Sequence, residues 1–124
     1  MFSLENTHAW AKAGVMLRES LAPGSKYVTL VATPGKGLAM QARSLNDRQS
    51  YDVALLAGTI PKWVRVIRRG DVFTGSVSDD GFQWRNVGAV RVEMNTVLRA
   101  GLAVTSHAAG TLATAIFQSQ YIEP

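Results

Sequence analysis

The chain has no cysteine among its 124 residues. That excludes a disulfide framework and any thiolate metal site. Charge is scarce at 18% of residues, and only nine residues are acidic. Histidine is limited to His8 and His107, far apart in sequence, so neither has metal-ligand spacing. No run reaches the roughly eighteen apolar residues of a membrane-spanning helix. The start, Met1-Phe2-Ser3-Leu4-Glu5-Asn6, has neither the basic opening nor the apolar stretch of a secretory leader. Helical periodicity is also missing. In residues 10 to 19, Ala11, Val15 and Leu17 make no helical stripe, whereas Ala13, Val15 and Leu17 alternate against Gly14, Met16 and Arg18 as a strand does.

What remains is short strands and turns. The organising stretch is 62 to 84. Residues 62 to 68 are β-branched or long, and Gly70-Asp71 turns the chain. Phe73, Gly75 and Val77 then alternate with Thr74, Ser76 and Ser78. Asp79-Asp80-Gly81 is a hairpin turn, and Phe82 and Trp84 restart the apolar alternation. Elsewhere the pattern predicts strands over 26–33, 38–43 and 51–56, with a turn at Pro34-Gly35-Lys36-Gly37 and a polar loop over 44–50. Val90, Val92 and Met94 alternate. Residues 97 to 106 are apolar on both faces and predict a central strand covered on both sides. A last strand is expected over 111–121. Eight or nine strands with these turn spacings predict one antiparallel β-sandwich domain spanning 1–124.

The net charge of +4, with a cluster at Arg65, Arg68 and Arg69, has two readings: a polyanion surface, or a solvated face. No recognition helix or aromatic-basic RNA pattern accompanies it, so no specific nucleic acid is expected. Arg69-Gly70-Asp71 spells an integrin-type tripeptide, and a generic turn accounts for it.

Three segments in order resemble one family. They are Trp10-Ala-Lys-Ala-Gly-Val-Met-Leu-Arg-Glu-Ser20, Val31-Ala-Thr-Pro-Gly-Lys-Gly37 and Gly101-Leu-Ala-Val-Thr-Ser-His107, with Trp63-Val-Arg65 and Ser78-Asp-Asp-Gly-Phe-Gln-Trp84 between them. The set, over about residues 6 to 118, resembles the concanavalin A-like (laminin G-like) jelly-roll domains of secreted bacterial proteins. The resemblance implies an antiparallel jelly-roll sandwich, an extracellular setting, and noncatalytic glycan or surface binding without a cofactor. Family domains carry several strands ahead of the Trp10 segment, so the chain reads as the C-terminal two-thirds of such a domain, truncated at its N-terminus. Lost strands leave open edges, from which a homo-oligomer is expected.

Glycosidases of this fold use a Glu-x-Asp-x-x-Glu pattern, which this sequence does not contain. Neither histidine sits in a nucleophile elbow, and the expectation is that the protein is not an enzyme. No metal is expected, the alternative being a rim calcium on Asp79 or Asp80 with Asn86. For a sugar-binding face, Phe73 and Phe117 fit the core alternation, and Trp63 and Trp84 read as packing anchors. That leaves Trp10, Tyr27 and Tyr51, with Arg18, Gln41 and Arg43, as the candidate ligand-binding residues. The rival expectation is a self-associating structural module with no small ligand, whose sheet edges mediate assembly.

Overall fold

A computed structural model describes residues 2–4, 12–33, 37–57, 63–105 and 115–117. The described strands are β1 (Phe2–Leu4), β2 (Lys12–Arg18), β3 (Tyr27–Thr33), β4 (Gly37–Arg43), β5 (Tyr51–Leu56), β6 (Trp63–Arg69), β7 (Val72–Ser78), β8 (Arg85–Arg91), β9 (Arg99–Thr105) and β10 (Ala115–Phe117). Among the described residues there is no helix, and so none long and apolar enough to cross a membrane.

Pairing is antiparallel throughout. One sheet has five strands in the order β5-β4-β3-β2-β9, a second has three in the order β6-β7-β8, and β1 pairs with β10. The period-two pattern decides which side chains meet between the sheets. Val15, Leu17, Val28, Leu30, Met40 and Ala42 from the larger sheet pack with Val64, Val66, Phe73 and Val77 from the smaller one. Phe73, Leu30 and Met40 are completely buried. Burying one such side chain stabilises the fold by roughly 1.5–3 kcal/mol, so this layer dominates its stability. Gly75 faces Met40 and Leu30 across the layer, and Gly88 faces Ala54; in each case the missing side chain lets the sheets approach.

Gly14 serves the larger sheet differently. A Cβ there would lie 2.0 Å from the Leu30 carbonyl oxygen and 2.7 Å from the Val31 Cα, so β2 and β3 keep their spacing only with glycine. The turns follow the predicted chemistry where they are described. Gly70 and Gly81 have positive φ at 61° and 82°, which glycine adopts without steric cost.

Three expectations are corrected. Phe82 and Trp84 do not continue a strand. Ser78 Oγ accepts the backbone N–H of Gly81 at 2.8 Å, and Asp80 Oδ1 accepts those of Phe82 and Gln83 at 2.8 and 2.9 Å. This local bonding closes a turn, and β8 begins only at Arg85. Second, Val92 and Met94 are buried, but they follow β8 as irregular chain. Third, among the described residues β9 lies at the edge of its sheet rather than in the centre, with Leu102 45% and Val104 48% exposed. Apolar residues on both faces record what a strand is made of, not what covers it. Of the last expected strand, only Ala115–Phe117 falls among the described residues.

Candidate binding face

Antiparallel register carries the face of the five-stranded sheet turned away from the smaller sheet, on which Thr29, Val31 and Ala39 are buried. Arg18 stands opposite Tyr27, which stands opposite Arg43. One row further in, Met16, Thr29, Gln41 and Asp52 align. Directly paired residues share a sheet face. Four of the six candidate residues, Arg18, Tyr27, Gln41 and Arg43, are therefore brought together. Trp10 lies outside the described residues.

Tyr51 is not part of this face. An unbroken β4–β5 register would continue the Met40–Ala54 pair to Arg43 opposite Tyr51. Instead the register shifts between Met40 and Gln41, and Tyr51 pairs with Ala42, whose methyl group lies in the core. One extra residue in β5 flips every side chain beyond it. The Tyr51 hydroxyl is held by Ser44 Oγ at 2.8 Å.

The two arginines have structural work. Arg18 donates from Nε to the Ser20 carbonyl at 3.1 Å and from a terminal nitrogen to that of Ala22 at 2.7 Å. Arg43 donates to the carbonyls of Arg48 and Pro23, each at 2.8 Å, and of Ser25 at 3.3 Å. Each thus ties loop backbone to the end of its strand. Both guanidinium groups also stand over the Tyr27 ring, at 5.6 and 5.2 Å from its centre. These are cation–π contacts that stiffen this end of the sheet and reduce the ring area open to a ligand. The Tyr27 hydroxyl donates to Ser50 Oγ at 2.6 Å.

Beside this cluster the face sinks into a shallow depression of about 240 Å³. Its floor is apolar, from Met16, Val31 and Ala103. Val104 lines it too, and Lys12, Thr29, Gln41 and Tyr27 supply its polar groups. Gln41 is oriented by a bond from its amide nitrogen to Asp52 Oδ1 at 2.8 Å, which leaves its carbonyl oxygen as an acceptor. Thr29 Oγ1 is occupied as a donor to the Val15 carbonyl at 2.7 Å. Lys12, Met16 and Thr29 are additions to the candidate set. The strand alternation that placed Tyr27 and Gln41 outward also placed Met16 and Thr29 there, so their position was readable.

The second aromatic group sits on the outer face of the three-stranded sheet. Trp63 pairs with Ser78, on the side opposite Val64 and Val77, and is half-buried. The Arg65 guanidinium lies 4.0 Å from the centre of the Trp84 ring. Trp63 and Trp84 are therefore packing anchors of the outer surface, not of the layer between the sheets. Arg65 Nε is buried without a hydrogen-bond partner among the described residues.

The other sequence candidates are engaged locally. Arg68 donates to the carbonyls of Gly70 and Asn95, each at 2.6 Å, and of Met94 at 2.8 Å. Asp71 of the tripeptide turn is bridged by Arg68 at 3.4 Å and Arg91 at 3.8 Å. Asp79 pairs with Arg85 at 3.6 Å, and Asn86 Oδ1 accepts from Ser76 Oγ at 3.1 Å. The backbone N–H groups of Gln83 and Phe82, with help from Ser78, hold the Asp80 carboxyl below its ordinary range. Among the described residues no three acidic or histidine side chains stand together as a metal site. No protein-family model matches the chain, and no curated protein or solved structure does either.

Proposed function

We propose that the protein is a noncatalytic binding module of the extracellular space, built on a jelly-roll version of the sandwich, and that its ligand class is carbohydrate. The observation that carries this reading is the depression beside Tyr27. It combines apolar lining with Lys12, the oriented amide of Gln41 and Tyr27 on paired strands. Sugars present this mixture of C–H faces and hydroxyl groups. The amide of Gln41 is held by Asp52, so little side-chain freedom is lost on binding. The resemblance in the Trp10, Val31 and Gly101 segments points to the same ligand class.

Retention of the full chain on a panel of polysaccharides and a glycan array tests this. Gln41→Ala and Lys12→Ala are each expected to weaken retention by up to about tenfold, the effect of one lost hydrogen bond or charge contact. Trp84→Ala, on the other sheet, should leave it unchanged. Binding that survives both face substitutions but is lost with Trp84→Ala would move the site to the smaller sheet. Absence of binding across the panel would refute carbohydrate as the ligand class.

A further inference from the structure

We infer that β9 is a pairing edge for a second copy of this chain, in an antiparallel register centred on Leu102. Among the described residues β9 joins the sheet through β2 alone, and no described strand pairs with its other side. An unpaired edge presents a row of N–H and C=O groups to any complementary strand. Proteins usually blunt such edges with charge, proline, a bulge or brevity. β9 runs seven residues, Arg-Ala-Gly-Leu-Ala-Val-Thr, with its single charge at the first position and no register shift against β2. None of the four devices protects its middle.

The side chains point to the same occupant. Ala100, Leu102 and Val104 share the face of Leu17, Val15 and Ala13, which is the face turned toward the smaller sheet. Leu17 and Val15 are packed against the core, whereas Leu102 and Val104 stay close to half exposed. The apolar row thus continues past its cover. A two-fold axis at Leu102 sets it against the partner's Leu102. Ala100 then meets Val104, Gly101 meets Ala103, and Arg99 meets Thr105. Every position except Thr105, which meets Arg99, has an apolar or neutral counterpart, and no like charges oppose each other. The strand thus meets the requirement of an isologous contact, that the same patch on two copies can face itself without opposed charges. The result is one sheet continuous across both copies, with the two exposed apolar rows joined. A contact of this kind is small, so a concentration-dependent dimer in roughly the micromolar range is expected.

The absence of cysteine makes the register directly testable. Light scattering on the full chain across a concentration series should show the mass rising toward twice 13.4 kDa. Under mild oxidation, Leu102→Cys should give a covalent dimer, because a two-fold axis brings the residue to its own copy. Ala100→Cys should not, because its counterpart is Val104. Leu102→Lys should weaken dimerisation at least tenfold, with Leu56→Lys on the far edge leaving it unchanged; strand circular dichroism of both confirms the fold. A monomer at every concentration overturns the inference. So does a dimer that Leu102→Cys fails to cross-link, or one that both cysteine variants cross-link equally.

Discussion

The five-stranded sheet has two edges, and they are finished differently. β5 carries a register shift against β4, a carboxylate at Asp52 and contact with β8 of the other sheet. It exposes Leu55 and Leu56, but on a strand whose backbone is misaligned for a regular partner. β9 is regular, almost uncharged and, among the described residues, paired on one side only. Amino-acid type alone does not separate them, since both are apolar. What separates them is whether the backbone can accept another strand. On our inference, that difference makes β9 the assembly edge and β5 a terminus.

The largest test of the contrast lies inside the sheet. Among the described residues β9 is attached through β2 alone, and β2 reaches the rest of the sheet through β3 alone. Gly14→Val places a side chain against the Leu30 carbonyl, a backbone atom that cannot rotate away. It should lower stability by about 3 kcal/mol in urea unfolding and release the β9 side first. A stable variant with unchanged assembly would show that β9 is held independently of β2.

Arg43→Gln comes next. It removes charged donors from the carbonyls of Arg48, Pro23 and Ser25, which tie the loops at this end of the sheet. A loss of about 2 kcal/mol is expected in the same measurement, with the dimer constant unchanged. Asp52→Thr removes the charge on the β5 edge and its bond to Gln41, at about 1 kcal/mol. The bulge persists in that variant, so light scattering should show no species larger than the dimer. Larger assemblies would mean that charge, not the bulge, protects β5.

The smallest effect belongs to the turn at Asp80. Asp80 has a carboxyl pKa lowered from 3.8 by the N–H groups of Gln83 and Phe82. A depressed folded-state value gives stabilisation that is complete above the unfolded value and is lost as pH falls through the folded one. Asp80→Asn should therefore flatten acid sensitivity below about pH 4 and leave neutral behaviour and dimerisation nearly unchanged. An acid titration by tryptophan fluorescence reads it directly, since Trp84 lies next to the turn.

The strand faces were legible in the sequence wherever the alternation was unbroken. β2, β3, β4 and β7 follow it, and it brought Arg18, Tyr27, Gln41 and Arg43 to one face. Four things were not legible, each for a physical reason. The bulge in β5 has no signature in Tyr-Asp-Val-Ala-Leu-Leu, so Tyr51 was assigned to the wrong face. The Asp80 network competes with strand pairing, so Phe82, 87% exposed, mimicked a core position. Trp63 and Trp84 carry the size of core residues but pack on the outside against Gly81 and Arg65. Finally, the extent of the smaller sheet decides whether β9 is covered, and that depends on residues distant in the chain.

The most direct test of the contrast between the edges is amide hydrogen exchange at two protein concentrations, one below and one above the dimer constant. Pairing at β9 predicts that amides within 99–105 exchange more slowly at the higher concentration, while those of 51–56 do not change. Equal exchange in β9 at both concentrations, or slowing confined to β5, would contradict it.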